Sequence, residues 1–368
     1  MRVLTLTWPL TAVSDRACGG AEQIAALLIA RLSRIPALQL TWIGAPGSDT
    51  RRRVRFLGWP ELLRRHGLWR PQPALYTPDA LADLQRRCRD AVLRAVAADP
   101  PDLIHDQGAF FAPAAAATRV PVLLTLHLAR ELYPAAQWNQ PPSRLHLHCV
   151  SHTQQREYGP LACCGVIANG IALSRFRPRR HPAPATAPLL YLGRICPEKA
   201  PHLAIEIARR ARRRLWLVGD VAPFPSHQRY FQDCICPHLG PSVAWLPAPA
   251  FACKRTLLRQ AAALVIPSRI AETSSLVAME AAASGVPALA LRAGALPEIV
   301  AHGRTGWVAE TPEELADCAA TQLPLPPRRG GIAPAECRLH AERAFCAERM
   351  AAEYAGLYRR LTRAGGLQ

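Results

Sequence analysis

Short apolar runs alternate with amphipathic stretches along the whole chain. In the first half, residues 21–35 place Ile24, Leu27, Leu28 and Ile35 at helical spacing, which predicts a helix with one buried face. Five segments around it have the length and composition of buried strands: 2–8, 38–45, 102–106, 120–126 and 147–151.

The same alternation starts again in the second half of the chain. Strands are predicted with amphipathic stretches between them at 189–195, 214–220, 243–247, 263–268, 286–291 and 305–310. Repeated strand–helix units imply parallel sheets with helices on both faces. We therefore predict an α/β protein with two Rossmann-like, doubly wound domains, and a ligand site at the carboxyl ends of the strands in the cleft between them.

Proline and arginine mark the predicted domain boundaries. The segment 175–188 continues neither a strand nor a helix and is interpreted as a linker between a domain of residues 1–174 and one of 189–334. A second proline-rich break at 322–334 precedes a last predicted helix over 335–362, within the C-terminal segment 335–368. The length of 368 residues suits this two-domain division.

The segment from Glu272 to Glu280 holds the main candidate chemistry. Thr273, Ser274 and Ser275 can cap a helix that runs to about Ser284, and Gly285 and Pro287 are typical of its end. Free N–H groups near Ser275, Leu276 and Val277 would form an anion site. The two carboxylates would then accept hydrogen bonds from sugar hydroxyls beside that anion. The alternative is an ordinary capped helix with a surface glutamate.

Arg194 and Lys199 follow the first predicted strand of the second domain. Two cations there could neutralise a leaving diphosphate, whereas the alternative is a pair of solvated loop charges. Lys199 and Lys254 are the only lysines among 45 Lys and Arg residues. Because the other Lys and Arg positions are all arginine, a lysine suggests that its position needs a compact point charge.

The first domain offers weaker candidates. Gly19 and Gly20 lie between the first strand and the first helix, where glycine lets a ligand approach the helix N-terminus. His127 ends a strand at the edge where α/β sites form, although a single histidine is more often structural.

The net charge of +18 permits several partners. Nucleic acid, a phosphate-rich ligand and an anionic membrane are all compatible with it, as is the codon bias of a G+C-rich genome. Nucleic acid is not expected, because neither aromatic–basic interleaving nor a helix-turn-helix pattern is present. The twelve cysteines contain no C-x-x-C pair, so no metal site is expected.

The N-terminus is predicted to be a buried strand rather than a signal peptide, and no apolar run reaches the length of a membrane span. We therefore expect a cytoplasmic protein. The segments 51–56 and 62–70, with Leu62, Leu63, Leu68 and Trp69, suggest peripheral contact with anionic lipid at the inner face of the membrane. A solvated basic face is the alternative interpretation.

Taken together, these motifs resemble glycosyltransferase family 4. Its motifs occur in this order along nearly the whole chain: GGAE (19–22), T-x-H (125–127), NG (169–170), GRICPEK (193–199), E-x7-E (272–280), SGVP (284–287) and GALPEIVAHGRTGWV (294–308). The sequence of residues 193–208, GRICPEKAPHLAIEIA, is most similar to the avilamycin-type branch. The resemblance implies a GT-B fold and a hexosyltransferase that retains anomeric configuration, without metal or other cofactor. It also implies that the last helix crosses back to the first domain.

The resemblance also implies roles for individual residues. Arg194 and Lys199 would bind the donor phosphates, and the backbone of Ser275, Leu276 and Val277 would hold the diphosphate. Glu280 would contact the ribose and Glu272 the donor sugar. In the first domain, Gly19 and Gly20 would approach the donor phosphate, and His127 would meet the sugar near its reacting face.

Two positions depart from the family pattern. Thr273-Ser274-Ser275 stands where Pro-Phe-Gly is common, which leaves the donor sugar open, and Ala172 stands where the family often has Asp after Asn-Gly. The expected substrates are a nucleotide sugar, with a UDP-sugar favoured over a GDP-sugar, and a glycan, lipid-linked or small-molecule acceptor. A sugar-nucleotide epimerase, a phosphorylase-like enzyme, a basic nucleic-acid-binding protein and a catalytically idle binding protein are the alternatives.

Overall fold

The chain folds into two compact units. The first comprises Met1–Asn169 and Ala347–Gln368, and the second comprises Gly170–Cys346. The computed structural model describes residues 1–15, 17, 19–49, 53–71, 77–133, 141–159, 161 and 163–364.

Among the described residues of the first unit, seven strands form one parallel sheet in the order β3-β2-β1-β4-β5-β6-β7. The five predicted strands are all present and form the interior of this sheet. The two edge strands, β3 and β7, were not predicted. The bounds are β1 Arg2–Leu6, β2 Gln39–Gly44, β3 Arg55–Gly58, β4 Leu103–Asp106, β5 Val122–Leu126, β6 Leu145–Cys149 and β7 Cys163–Val166.

The second unit, which is described throughout, contains six parallel strands in the order β10-β9-β8-β11-β12-β13. All six strands predicted in this half are present. The bounds are β8 Leu189–Leu192, β9 Leu215–Val218, β10 Val243–Leu246, β11 Leu264–Ile266, β12 Ala288–Leu291 and β13 Gly306–Ala309. In both sheets the strand order reverses once, between β1 and β4 and between β8 and β11, which is where α/β sheets bind ligands.

The α-helices of the described residues cover these sheets, and none is long and apolar enough to span a bilayer. Those of the first unit are α1 Gly20–Leu32, α2 Trp59–Arg65, α3 Pro78–Ala98 and α4 His152–Tyr158. Those of the second unit are α5 Pro201–Arg210, α6 Pro225–Cys234, α7 Phe251–Gln260, α8 Leu276–Ala283, α9 Leu296–Ile299, α10 Pro312–Thr321 and α11 Pro334–Ala344. The last helix, α12 Ala347–Ala364, belongs to the first unit.

The prediction of one continuous helix over 335–362 is wrong. Phe345 leaves the helical region with φ −127° and ψ 24°, which separates α11 from α12. Its side chain is buried, and its carbonyl oxygen accepts a hydrogen bond from the Ile171 N–H at 2.8 Å. Burial of Phe345 and pairing with Ile171 therefore outweigh the helical periodicity at this point.

The predicted linker 175–188 lies entirely within the second unit, whose boundary falls between Asn169 and Gly170. Arg179, in the middle of that segment, donates from Nη1 to the Ala261 carbonyl oxygen at 2.6 Å. This contact fixes part of the segment against the residues that precede β11.

The apolar residues of the proposed lipid-binding segment face inward. Leu62 and Leu63 are buried, and Leu68 and Trp69 pack against the same core. The burial of Leu62 and Leu63 contradicts the prediction that these two residues form an apolar surface for lipid, because the apolar face of α2 packs into the core instead. Arg51 and Arg52 of the neighbouring basic segment lie outside the described residues.

Candidate functional site

The loops after β8 and β11 meet where the second sheet reverses its strand order. The Arg269 N–H donates to the Glu198 carbonyl oxygen at 3.1 Å, and the Ser268 hydroxyl approaches the same oxygen at 3.5 Å. These contacts tie the segment that carries Lys199 to the one that carries Glu272. The carboxyl ends of two adjacent parallel strands thus bring the predicted site residues of two distant motifs together.

Lys199 and Glu272 form an ion pair at this position. Lys199 Nζ lies 2.6 Å from Glu272 Oε1, and their side chains are 25% and 10% exposed. A partly buried ammonium–carboxylate contact of this length is a charge-assisted hydrogen bond. The pair therefore offers a fixed cation and a fixed acceptor side by side.

Helix α8 begins directly after this loop. Ser275 occupies the N-cap position with extended backbone, but its side chain makes no cap hydrogen bond, so the predicted side-chain cap is wrong. The first N–H groups of a helix have no partner within it, so those of Leu276 and Val277 remain available for an anion. The helix ends as predicted: Gly285 has a φ of +72°, and the Val286 N–H donates back to the Ala281 carbonyl oxygen.

Glu280 lies in the middle of α8 and is paired with Lys254 of α7. Lys254 Nζ lies 2.6 Å from Oε1 and 2.8 Å from Oε2 of Glu280. Burial raises the pKa of the Glu280 carboxyl, and the charges of Lys254 and Arg175 oppose that shift. Lys254 was not predicted as a site residue, although the scarcity of lysine could have pointed to it.

Arg194 is more exposed than the other candidates of the second unit. Its side chain is 54% exposed, and its Nη2 lies 3.5 Å from Glu198 Oε1. Its carbonyl oxygen accepts a hydrogen bond from the Tyr191 hydroxyl, which fixes the backbone after β8. Arg194 thus has a fixed backbone and a side chain that remains accessible to a ligand.

Gly19 and Gly20 lie at the N-terminus of α1 in the first unit. Gly19 is the N-cap residue, with extended backbone and no side-chain cap, and Gly20 is the first helical residue. Glu22 follows in the first turn, where a carboxylate interacts favourably with the helix dipole.

His127 follows β5 directly, at the carboxyl end of the strand. Burial lowers the pKa of its imidazole to about 4, so the ring is neutral at physiological pH. The loop after it is closed by the Leu128 N–H, which donates to the Tyr133 hydroxyl at 3.0 Å. A neutral imidazole can donate one hydrogen bond and accept another.

Asp106 is a buried residue at the first unit's strand reversal that the sequence did not single out. Its carboxylate accepts hydrogen bonds from the N–H groups of Gly108 and Phe111, both at 2.8 Å. Burial raises its pKa to about 6, against the effect of these backbone donors. Asp106 therefore organises the loop after β4.

Part of the second unit matches a known protein family. Residues 187–323 match the family model described as "Glycosyl transferases group 1". This segment begins just before β8 and includes both ion pairs. The glycogen synthase of Mycobacterium tuberculosis is 31% identical over 254 residues, which cover 60% of this chain and 59% of that protein. The chain thus spans about three-fifths of the length of this relative.

Solved structures of glycosyltransferases share the fold over nearly the full length. AviGT4, a glycosyltransferase involved in avilamycin A biosynthesis, is similar with a TM-score of 0.67 and 21% identity, over 98% of both chains. Anabaena Alr3699/HepE in complex with UDP-glucose is similar with a TM-score of 0.70 and 19% identity, over 98% of this chain and 100% of that one. The predicted fold class, a GT-B protein with two Rossmann-like units, is confirmed.

Among the described residues, no three His, Cys, Asp or Glu side chains are grouped so that they could hold a metal ion. Metal independence remains a prediction of the sequence.

Proposed function

We propose that the protein is a retaining glycosyltransferase of family 4, a hexosyltransferase that moves a sugar from a nucleoside-diphosphate sugar to an acceptor hydroxyl. The observation that carries the proposal is the pair of Lys–Glu contacts, Lys199–Glu272 and Lys254–Glu280, around the start of α8 at the strand reversal of the second sheet. The match of residues 187–323 to a glycosyltransferase family supports it.

In this proposal the second unit binds the donor. The N–H groups of Leu276 and Val277, with the backbone of Ser275, hold the diphosphate at the start of α8. Glu280 accepts hydrogen bonds from the ribose, and Glu272 accepts them from the sugar. Lys199 and Arg194 neutralise the diphosphate, so the reaction requires no metal or other cofactor.

Sugar transfer proceeds on the front face of the donor. The bond between the anomeric carbon and the diphosphate oxygen breaks while Lys199, Arg194 and the α8 N-terminus stabilise the departing charge. The acceptor hydroxyl then attacks from the same side and gives its proton to the departing diphosphate oxygen, so the anomeric configuration is retained. One positioned donor group of this kind contributes about 3–4 kcal/mol to transition-state stabilisation.

In the first unit, the proposed site residues are Gly19, Gly20 and His127. Because His127 is neutral, it can donate a hydrogen bond to a sugar hydroxyl without adding a further positive charge. The acceptor is a glycan, a lipid-linked sugar or a small molecule. Sedimentation with anionic and with neutral liposomes tests whether the basic segments 51–56 and 62–70 also bind membrane.

A UDP-sugar is the favoured donor, and a GDP-sugar is the alternative. The UDP-glucose complex of the structurally similar Alr3699/HepE supports UDP. Thr273, Ser274 and Ser275 directly follow Glu272, so they are the residues that we expect to set the sugar preference.

A melting-temperature screen against UDP-, GDP- and ADP-sugars tests the proposal, since a bound donor stabilises the folded state. We expect a UDP-sugar to raise the melting temperature of the wild type and to raise that of Lys199→Ala much less. NMR of the product made with an acceptor then reports the anomeric configuration. Sugar isomerisation without acceptor would instead indicate an epimerase, and a requirement for inorganic phosphate would indicate a phosphorylase. The proposal fails if no nucleotide sugar changes the melting temperature.

A further inference from the structure

Lys254 occupies a position where a helix of a globular protein normally carries an apolar residue. In α7, Phe251, Lys254 and Leu258 lie three and four residues apart, on the face that holds the buried Leu258. The Lys254 side chain is only 18% exposed, and that of Glu280 is 6% exposed. A lysine on a buried face is costly unless a carboxylate compensates its charge, and Glu280 supplies one.

The contact between the two side chains uses both carboxylate oxygens. Lys254 Nζ is within 2.8 Å of each oxygen of Glu280, so the carboxylate plane is fixed relative to α7. An ionised carboxylate has about four acceptor positions. The Lys254 ammonium group occupies one acceptor position on each oxygen of Glu280. Each oxygen keeps a second acceptor position, so the carboxylate can accept hydrogen bonds from two neighbouring hydroxyls.

Arg175, the other cation that acts on the Glu280 carboxyl, lies over an aromatic ring. The guanidinium groups of Arg175 and Arg255 lie 3.8 and 5.3 Å from the centre of the Phe251 ring. Arg175 also lowers the pKa of Glu280, but its effect is weaker than that of Lys254. Lys254 is therefore the main counter-charge of a carboxyl whose burial raises its pKa.

We infer that Lys254 is a positioning residue that holds the Glu280 carboxylate ready to accept both hydroxyls of a ribose 2′,3′-diol. Lys254 thereby gives the site its preference for ribonucleotide donors over 2′-deoxyribonucleotide donors. The inference rests on the proposed function, in which Glu280 contacts the ribose. It assigns a role to the second lysine of a chain that otherwise uses arginine.

The test compares UDP with 2′-deoxy-UDP by titration calorimetry, with GDP and 2′-deoxy-GDP in parallel. The proteins are the wild type, Lys254→Met, Glu280→Gln and the double variant. Arg259→Met is the matched control, because it removes a cation from an exposed position of the same helix. Loss of one or two charge-assisted hydrogen bonds weakens binding by about 10- to 100-fold.

We expect the wild type and Arg259→Met to bind the ribonucleotide at least about tenfold more tightly than the 2′-deoxyribonucleotide. In Lys254→Met the two affinities should become nearly equal, because neither oxygen of Glu280 is then held by the ammonium group. Donor turnover by Lys254→Met should show a raised KM and little change in kcat.

The double variant separates positioning from direct contact and remains informative if Lys254→Met does not fold. If Lys254 acts through Glu280, adding Lys254→Met to Glu280→Gln leaves both affinities unchanged. A further loss would mean that Lys254 contacts the ligand itself, and the inference would be wrong. Wild-type discrimination in Lys254→Met would also overturn it. Absence of any binding by the wild type would instead refute the proposed function.

Discussion

Gly294 lies directly against the backbone of Glu272. Gly294 has a φ of +54°, and a Cβ at this position would lie 2.3 Å from the Glu272 carbonyl oxygen and 2.4 Å from its nitrogen. The next residue, Ala295, donates its N–H to the same carbonyl oxygen at 2.6 Å. The loop after β12 thus fixes the backbone of the carboxylate that pairs with Lys199.

Gly294→Ala should therefore lower activity more than stability. The added methyl group cannot fit beside the backbone of Glu272, so that backbone must shift, which should disturb the pairing of Glu272 with Lys199. We expect kcat/KM for the donor to fall at least about tenfold, since small displacements of positioned groups are costly. Gly303→Ala is the matched control, because Gly303 also has a positive φ, +74°, but a Cβ there meets nothing within 4 Å. Equal loss of activity in both variants would show that backbone strain, rather than contact with Glu272, is responsible.

Lys199→Ala and Glu272→Ala should each reduce turnover at least about tenfold without unfolding the chain. Each substitution removes a proposed donor contact and leaves a partly buried charge without its partner. The double variant should lose less than the sum of the two free-energy changes, because residues in contact are coupled by about 0.5–3 kcal/mol.

Steady-state kinetics with the acceptor, and circular dichroism for folding, test these variants of the Lys199–Glu272 pair. Arg210→Ala is the control, since Arg210 pairs with Glu206 on an exposed helix face. Near-normal kinetics in both single variants would refute the assignment of the pair to the site.

The interior strands could be predicted because they are short, continuous apolar runs, and the ends of α8 were marked by Ser275 and Gly285. The edge strand β3 was missed because Arg55 and Gly58 resemble loop residues. The partnership of Lys254 with Glu280 joins residues 26 positions apart and depends on how α7 packs against α8. No local sequence pattern predicts such a contact, so the scarcity of lysine is the only feature of the sequence that points to it.

Acid should destabilise the first unit through three histidines. Burial lowers the pKa of His105, of His127 to about 4 and of His148 to about 3. Their folded pKa values lie below the unfolded value of about 6.5, so the unfolded chain binds protons first as the pH falls. The free energy of unfolding should therefore be highest above pH 6.5 and decrease towards pH 4.

Urea unfolding, followed by tryptophan fluorescence between pH 4.5 and 7.5, measures this dependence. His148→Gln should reduce the slope by about 1.4 kcal/mol per pH unit, the contribution of one such group. His181→Gln, at an exposed position of the second unit, is the control and should keep the wild-type slope. An unchanged slope in His148→Gln would contradict the burial argument.

Two tyrosines of α12 make buried hydrogen bonds to the first sheet, and their contacts differ in length. The Tyr358 hydroxyl lies 2.7 Å from His105 Nδ1, whereas that of Tyr354 lies 3.2 Å from Thr125 Oγ1 and 3.4 Å from His148 Nδ1. All five side chains are buried. Tyr358→Phe leaves the ring nitrogen of His105 without this partner, which should cost about 1–3 kcal/mol.

Tyr354→Phe is the matched comparison, with the same change of side chain on the same helix. Its contacts are longer and weaker, so we expect a smaller loss of stability than for Tyr358→Phe. Hydrogen exchange at the amides of β4 and β5, together with urea unfolding, measures both effects. A larger cost for Tyr354→Phe would mean that the Thr125 and His148 contacts, rather than the short bond to His105, attach α12 to the sheet.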